Sequence, residues 1–233
     1  MLEVTWLGHS TFEMRLDGGE VLVTDPWVEG NPKYPQGHKF EKIDTMIISH
    51  GHFDHFNDVV PLAKKFEPKI AAIFEVTKFL EEKGVKGAAA MNKGGTAPLG
   101  SIKVTMTEAI HSSCFVDGSK LSCAGEPVGF ILHLQDGRRV YFAGDTAVFS
   151  DMALLQQIYR PEIVFLPIGD LFTMGPEQAA VAVGLLKPKI VVPMHYGTFP
   201  ALTGTPEELK RLLSEAGSSA EVRVLNIGER TPL

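Results

Sequence analysis

Short apolar runs separated by turn residues dominate the first third of the chain. Apolar and polar positions alternate or cluster over strand length in these runs, which is typical of β-strands. Asp17-Gly18-Gly19 between two of them predicts a hairpin turn, since glycine adopts the positive φ that such turns require. A loop rich in proline and glycine follows at residues 26–40. Strands are predicted over residues 2–7, 11–16, 20–25 and 43–49.

Helical spacing alternates with strand-like runs through the rest of the chain. Helices are predicted over residues 56–66, 76–84, 151–159, 176–186 and 206–216. Strands are predicted over residues 70–75, 101–110, 128–134, 139–145, 162–170, 189–197 and 221–227. The segment 84–100, rich in glycine and alanine, predicts a strand with loops.

A strand hairpin followed by alternating helices and strands occurs on each side of about residue 115. This repetition predicts an α/β protein of two similar halves, residues 1–115 and 116–233, each a sheet with helices on its outer face. The two sheets are expected to pack against each other. No stretch of linker composition separates the halves, so we expect a single domain over residues 1–233.

Composition narrows the class of protein. The 233 residues are 44% hydrophobic with a net charge of -6, which is ordinary for a globular chain. No Lys/Arg cluster is present, so we expect a small-molecule partner and no nucleic acid. No apolar run or secretory signal indicates a membrane. With only two cysteines, a reducing cytoplasm is the expected location, and a homo-oligomer is compatible with these features.

Polar side chains follow six of the apolar runs, each at the carboxyl end of the strand. Strand ends on one edge of a sheet converge on a crevice, the usual place for a site in layered α/β proteins. We therefore expect these side chains to share one site. The residues are His9, Asp25, His50, His111, Asp145 and His195.

The segment SHGHFDH (49–55) adds further imidazole and carboxylate groups. His50 and His52, two apart in an extended turn, can face one metal ion, whereas Asp54 and His55 follow the bend and can serve a second. His111 and His195 are candidates to complete the two sites, with Asp145 between the ions. Nitrogen and oxygen ligands without thiolate favour two divalent ions, Zn²⁺ first, with Mn²⁺, Fe²⁺ or Ni²⁺ as alternatives. A closed zinc site that only holds the fold is disfavoured, since such sites recruit cysteine.

The stretches TWLGHS, SHGHFDH, EAIHSS, GDT and PMHYGTF resemble the metallo-β-lactamase fold superfamily between residue 4 and about residue 200. They are similar to its branch of small prokaryotic metal-dependent hydrolases, related to ascorbate-6-phosphate lactonases and N-acyl-phosphatidylethanolamine phospholipase D. The resemblance implies a four-layer αββα sandwich of two mixed β-sheets, with the site at the edge of the sheets.

The resemblance also implies a ligand set. His50, His52 and His111 would hold the first metal, and Asp145 would be shared. The second metal would be held by Asp54, His55 and His195. Oxidoreductases of the flavodiiron type have Glu at the position of His52, so this chain favours hydrolysis over redox chemistry.

A metal-dependent hydrolase of this kind would attack a small ester, lactone or phosphodiester with a hydroxide held by two metals. Asp54 is expected to orient the water or relay a proton. His9 is expected either to donate to the substrate or leaving group, or to support a ligand. Asp25 is expected to fix the tautomer of a ligand histidine, and Asp170 is a weaker candidate for the same role.

Other residues receive smaller roles. Cys114 and Cys123 are interpreted as ordinary thiols and His133 as structural. The loop 26–40, with His38, and the segment 112–129 are expected at the mouth of the site. Phe172 and Phe199 are placed there as well.

Two further functions remain open at this point. An RNA-processing nuclease of the same fold would need a basic face or arm to grip RNA, and salt-dependent tRNA binding would support it. A non-catalytic metal-binding scaffold or regulator would keep the site without turnover. The complete ligand set favours the enzyme.

Overall fold

The structure, a computed structural model, describes residues 2–233. Within this range the chain forms two seven-stranded sheets. The first contains β1 (Glu3–Trp6), β2 (Phe12–Arg15), β3 (Val21–Thr24), β4 (Thr45–Ile47), β5 (Lys69–Ile73), β6 (Ala88–Met91) and β16 (Arg230–Pro232). The second contains β7 (Thr96–Leu99), β8 (Ile102–Glu108), β11 (Val128–His133), β12 (Arg139–Phe142), β13 (Ile163–Pro167), β14 (Ile190–Met194) and β15 (Glu221–Val222).

Each sheet joins an antiparallel part to a parallel part. In the first sheet β16, β1, β2 and β3 pair antiparallel, and β3, β4, β5 and β6 pair parallel. In the second, β7, β8, β11 and β12 pair antiparallel, and β12, β13, β14 and β15 pair parallel. This matching order is the structural counterpart of the repeated sequence pattern.

The sheets do not divide at residue 115, where the sequence pattern placed the boundary. β7 and β8 precede that residue but belong to the second sheet, and β16 at the end of the chain pairs with β1 of the first. The pattern counted residues 101–110 as the last strand of the first half. In the structure this strand, β8, lies beside β11 and pairs with it from Lys103 to Glu108.

Helices cover the outer faces of the two sheets. α1 (Phe53–Phe56), α2 (Val59–Phe66) and α3 (Phe74–Glu82) connect strands of the first sheet. α4 (Met152–Tyr159), α5 (Pro176–Leu186) and α6 (Pro206–Glu215) share a second apolar core with one face of the second sheet. A single helix was predicted over 56–66. In the structure α1 ends at Phe56 and α2 begins at Val59. Between them the Asp58 carboxylate accepts the backbone N–H groups of Val28 and Glu29, at 2.7 and 3.1 Å, and so ties this turn to the loop 26–40.

The inner faces of the sheets form the main core. The Phe12 ring on β2 meets the Phe165 ring on β13 edge to face, with centroids 4.9 Å apart, and both side chains are fully buried. Aromatic pairs of this kind bind sheets tightly because they combine large buried area with favourable ring geometry. The layers therefore run helix, sheet, sheet, helix, and the expected αββα architecture of mixed sheets is confirmed.

A small hairpin stands apart from the sheets. Its strands are β9 (Cys114–Asp117) and β10 (Lys120–Cys123), in the segment 112–129. Phe115 anchors it, since its ring stacks on Phe79 at 4.0 Å and packs against Phe56 at 4.8 Å. Among the residues that the structure describes, no helix combines the length and apolar character that a bilayer crossing requires.

Candidate metal centre

Six strands end at one edge of the sandwich. β1 and β3 are both antiparallel to β2 and therefore run in the same direction, which β4 shares. In the second sheet β8, β12 and β14 share a direction in the same way. Their carboxyl ends bring together the side chains that the sequence pattern grouped, namely His9, Asp25, His50, His111, Asp145 and His195.

The backbone turns sharply where several of these strands end. His9, Asp25 and His195 have φ values of 56°, 38° and 55°, in the left-handed region that residues with a side chain seldom adopt. Such conformations persist where the surrounding structure fixes them, and they cluster at functional sites. Each of these three residues follows a strand, and its backbone conformation directs its side chain into the shared edge.

Three imidazoles form the first group. His50 Nε2 lies 2.9 Å from Nδ1 of His52, and that atom lies 3.3 Å from Nε2 of His111. Nitrogens bound to one zinc ion in tetrahedral geometry are about 3.3 Å apart. The three ring nitrogens therefore have the spacing of ligands to one ion, with His52 presenting its Nδ1 and the other two their Nε2 atoms.

The second group contains Asp54, His55 and His195, with His9 beside them. Asp54 Oδ2 lies 3.9 Å from Nε2 of His195 and 4.0 Å from Nε2 of His55. His55 lies on α1, one turn after the first pair of histidines, as expected for a chain that curves between the two groups.

Asp145 lies between the two groups. Its Oδ2 atom is 3.0 Å from Nε2 of His195 and 3.3 Å from Nε2 of His55, on one side. On the other side it is 3.6 Å from Nε2 of His111 and 3.9 Å from Nε2 of His50. One carboxylate thus reaches nitrogens of both groups.

Several buried polar atoms in this cluster have no hydrogen-bond partner in the described part of the chain. They are Nε2 of His55, Oδ1 of Asp145 and both ring nitrogens of His195, because the approaches of the two Nε2 atoms to Asp145 Oδ2 lack hydrogen-bond geometry. An unsatisfied buried polar atom costs about 1–3 kcal/mol, so native sites rarely accumulate them without another bonding partner. The orphaned atoms are nitrogen and oxygen atoms with lone pairs, gathered in one cluster, which fits divalent cations.

The charges of the cluster fit the same conclusion. Burial lowers the pKa of His50 well below its ordinary value, so this imidazole is neutral and can act as a ligand. Burial alone would raise the pKa of Asp145, but the His195 and His55 imidazoles outweigh it and hold that pKa well below its usual value. For His55 burial acts downward, whereas the carboxylates of Asp145 and Asp54 raise the pKa well above its ordinary value.

Asp25 supports the ligands from behind. It is fully buried, and its Oδ2 accepts a hydrogen bond from Nδ1 of His55 at 2.8 Å, as the sequence pattern predicted. The Ser49 hydroxyl donates to the same oxygen at 2.5 Å and lies 2.9 Å from Nδ1 of His50. Asp25 and Ser49 together hold Nδ1 of both histidines, so that each ring turns Nε2 to the cluster. Ser49 was missed by the sequence analysis, although it immediately precedes His50.

His9 is enclosed in protein. Its side chain is fully buried, with Nε2 3.0 Å from Oδ2 of Asp54 and Nδ1 2.9 Å from Oγ1 of Thr198. Burial, with the nearby His195, lowers the pKa of His9 to about 4. Both ring nitrogens of His9 thus contact protein side chains, and the ring has no exposed surface. Its geometry supports the alternative role, a residue that holds Asp54. Thr198 carried no sequence signal for this contact.

A cleft of about 620 Å³ opens over the cluster. His52, Asp54, His111, Asp145 and His195 form its floor. The other lining residues are Phe53, Ser112, Cys114, Val116, Phe172, Phe199 and Ala201. The expectation that the segment 112–129, Phe172 and Phe199 contribute to the mouth is therefore confirmed.

The loop 26–40 was expected at the mouth of the site, and among the described residues it meets the cleft only through its Trp27 side chain, which contacts two lining residues. No residue of that loop lines the cleft within the range described. Trp27 packs edge-on against His9 at 5.3 Å and also contacts the rings of Phe53 and Phe199, at 5.7 and 5.8 Å. His38 lies away from the cleft, 3.4 Å from Oε2 of Glu13 and against the rings of Tyr34 and Phe40.

Two other predictions have clear outcomes. Asp170 is exposed and makes no hydrogen bond to a cluster histidine in the described chain, so its assigned role is wrong. His133 is structural, as predicted, because its Nε2 lies 2.7 Å from Oγ1 of Thr105 on the neighbouring strand. Cys114 and Cys123 are free thiols and occupy opposite positions of the β9–β10 hairpin.

Comparison with known proteins identifies the family to which the chain is similar. The beta-lactamase superfamily domain matches residues 3–195. A protein named UPF0173 metal-dependent hydrolase from Solibacter usitatus is 54% identical over 228 residues, covering 98% of both chains. One of the same name from Rubrobacter xylanophilus is 45% identical over 229 residues, which cover 97% of this chain and 94% of the relative.

Among solved structures, Igni18, a metallo hydrolase from the hyperthermophilic archaeon Ignicoccus hospitalis, superposes with a TM-score of 0.86 at 36% identity. The alignment covers 99% of this chain and 97% of Igni18. The strand-end histidines and aspartates described above all lie within the residues matched by the superfamily domain. The chain therefore belongs to the beta-lactamase superfamily and, within it, to the UPF0173 metal-dependent hydrolases.

Proposed function

We propose that this metal-dependent hydrolase uses two divalent cations to cleave a small ester, lactone or phosphodiester. The first cation would be held by His50, His52 and His111. The second would be held by Asp54, His55 and His195, with Asp145 bridging. The observation that carries the proposal is the position of Asp145 Oδ2, within 3.0–3.9 Å of imidazole nitrogens from both groups. When bound, such cations would lower the pKa of a coordinated water and polarise the attacked group.

The chain's own residues would orient the reactants. Asp54 lies on the cleft floor, and its side chain is the most exposed of the three second-group residues. Burial alone would raise its pKa, but the His55 and His9 imidazoles hold that pKa well below the usual value, so the carboxylate is ionised. It can therefore accept a hydrogen bond from water, while His9 fixes its orientation from behind.

Zinc is the first candidate for both positions, because the donor set contains imidazole and carboxylate without thiolate. Manganese, iron(II) and nickel accept the same donors. Elemental analysis of protein prepared without added metal, and after metal exchange, would identify the preferred ion. We expect two ions per chain.

The decisive test combines metal content with turnover. We expect His52→Ala and His195→Ala each to lose one ion and to lower kcat/KM by at least about a hundredfold. His133→Ala is the matched control, since it also removes a hydrogen-bonded histidine but lies outside the centre. It should keep both ions and full activity. The substrates are p-nitrophenyl acetate, a γ-lactone, a thioester and bis-p-nitrophenyl phosphate.

Each outcome separates the proposal from its competitors. One ion or none in the wild-type protein would reject the two-cation centre. Two ions without turnover of any substrate would favour a metal-binding scaffold. Cleavage of tRNA with binding that weakens steeply as salt rises would favour the nuclease.

A further inference from the structure

The wall of the cleft above the metal centre is apolar. Phe53, Val116 and Phe172 line it, and each is more than half exposed. Phe199 and Ala201 also line the cleft. We call these five residues the apolar mouth.

Separate parts of the chain build the apolar mouth. Phe53 begins α1, Val116 belongs to β9, and Phe172 follows β13. Residues from three segments that meet around one opening are not explained by the packing of any single element. Large apolar side chains that remain exposed around a concave site typically mark a surface that a ligand covers.

No lysine or arginine lines the cleft in the described residues. Sites that bind phosphate or carboxylate groups usually present such cations for charge-assisted hydrogen bonds. Lys93 lies in a neighbouring groove that shares His111, but its ammonium group is held by Glu108 at 2.5 Å and Glu126 at 2.8 Å. The cleft thus lacks a counter-charge for an anionic substituent beyond the metal centre itself.

We propose that the substrate is a neutral ester or lactone with an apolar group of several carbons beside the scissile bond, and that the apolar mouth binds this group. The proposal rests on the proposed function for the position of the bond, and it narrows that function by disfavouring phosphodiesters. Removing an apolar chain from water onto these side chains would supply binding energy in proportion to chain length.

Alkyl hydroxamates provide a direct test, because the hydroxamate chelates the metal while the chain reaches the mouth. Calorimetric titration of the metal-loaded protein would compare acetohydroxamate, butyrohydroxamate, hexanohydroxamate and octanohydroxamate. We expect affinity to rise roughly two- to fourfold per added methylene. A hexanohydroxamate analogue that ends in a carboxylate should bind at least about tenfold more weakly than its methyl-ended counterpart. Affinity independent of chain length, or tighter binding of the carboxylate analogue, would overturn the proposal.

Substitutions in the apolar mouth test whether its side chains bind the alkyl chain. Phe172→Ser and Val116→Ser should each reduce the gain in affinity between the acetyl and octanoyl compounds by at least about threefold. Phe74→Ser and Ile158→Ser are matched controls, since these side chains are comparably exposed but line no part of the cleft. They should leave the chain-length dependence unchanged. An equal loss in mouth variants and controls would contradict the assignment.

A neutral fluorophore separates this proposal from the proposed function. N-phenyl-1-naphthylamine has no metal-binding group, so its fluorescence on the metal-loaded protein reports the apolar mouth alone. One outcome would reject the proposed function and keep the apolar mouth. In it the affinity of the fluorophore depends on Phe172 and Val116, the hydroxamate group adds no affinity, and no ester is cleaved. If the fluorophore binds equally to wild type and mouth variants, the apolar mouth fails whatever the turnover.

Discussion

Asp25 Oδ2 accepts a hydrogen bond from Nδ1 of His55 at 2.8 Å, in a part of the centre where neither side chain has any solvent exposure. The same carboxylate accepts the backbone N–H and the hydroxyl of Ser49, at 2.7 and 2.5 Å. Three donors thus converge on two oxygens. This arrangement leaves His55 one free nitrogen, Nε2, which faces the cluster.

We expect Asp25→Asn to weaken binding of the second ion by about ten- to hundredfold. The new amide would place a donor where the protein already offers only donors, so either His55 or Ser49 would lose its acceptor. Calorimetric titration of the metal-free variant with zinc would measure the change. Asp44→Asn is the control, because Asp44 also accepts a backbone N–H from a neighbouring strand, at 2.7 Å, but lies outside the centre. Equal zinc affinities for both variants and wild type would refute this role.

The sequence predicted the floor of the site better than its supports. The structure brings the six strand-end residues that the pattern grouped to one edge, because strand direction alone places such ends together. Ser49 and Thr198 were missed, since their contacts depend on which side chains face each other after folding. Asp25 and Asp170 carry the same signal, an aspartate after a strand, but only Asp25 has a cluster histidine opposite it.

The fold shows a similar limit. The repeated pattern predicted two sheets with outer helices, because periodicity reports which face of each element is buried. It did not reveal that β7 and β8 belong to the second sheet or that β16 forms the edge of the first sheet, beside β1. Those pairings are set by long-range contacts between strand edges, which periodicity does not encode.

Gly51 separates His50 from His52, and its position leaves no room for a side chain. A methyl group there would collide with the Ala124 methyl and lie 3.0 Å from the Phe115 ring. We therefore expect Gly51→Ala to lower the free energy of unfolding by about 1–3 kcal/mol and to weaken the first metal site. Chemical denaturation and zinc titration would measure the two effects.

Two further variants test this explanation. Gly184→Ala, on α5 where an added methyl meets nothing within 4 Å, should keep or slightly raise stability. Adding Ala124→Gly to Gly51→Ala should recover part of the loss, because it removes the nearer obstacle. If the double variant is no more stable than the sum of the two single changes predicts, the collision is not the cause.

Acidification should empty the two metal sites in a defined order. Burial lowers the pKa values of His50, His52 and His111, so these imidazoles are already neutral at about pH 6.5 and bind metal without releasing a proton. The carboxylates of Asp145 and Asp54 raise the pKa of His55 well above its ordinary value, so an ion must displace a proton from this imidazole at pH values where the first group is already neutral. Affinity at the second site should therefore fall about tenfold per pH unit below that pKa, while the first site stays nearly constant to below about pH 6.5.

Metal content after dialysis at a series of pH values would show this order. We expect two ions per chain at about pH 8 and a plateau near one ion at mildly acidic pH. In His52→Ala the plateau should disappear, because the more acid-resistant site is the one damaged. Simultaneous loss of both ions in the wild-type protein would contradict the difference between the groups.

The β9–β10 hairpin places Cys114 directly opposite Cys123. Opposed Cα atoms in antiparallel strands are about 4.5–5.5 Å apart, which lies within the range of about 4.4–6.8 Å that a disulfide spans. We expect diamide to convert the two thiols into one intrachain disulfide, with the oxidant taking up the two electrons and two protons. Loss of both thiols at equal rates, followed by peptide mapping under non-reducing conditions, would identify the bond.

Cys123→Ser separates this pairing from general thiol reactivity. In that variant Cys114 has no thiol partner within the chain, so diamide should form only intermolecular disulfides and the wild-type intrachain species should be absent. Because Cys114 also lines the cleft beside Val116, the oxidised wild-type protein should bind octanohydroxamate with altered affinity. Diamide-treated Cys123→Ser protein that remains monomeric should bind it like the untreated variant. Oxidation of wild type to intermolecular dimers alone would show that the two strands do not hold the cysteines in register.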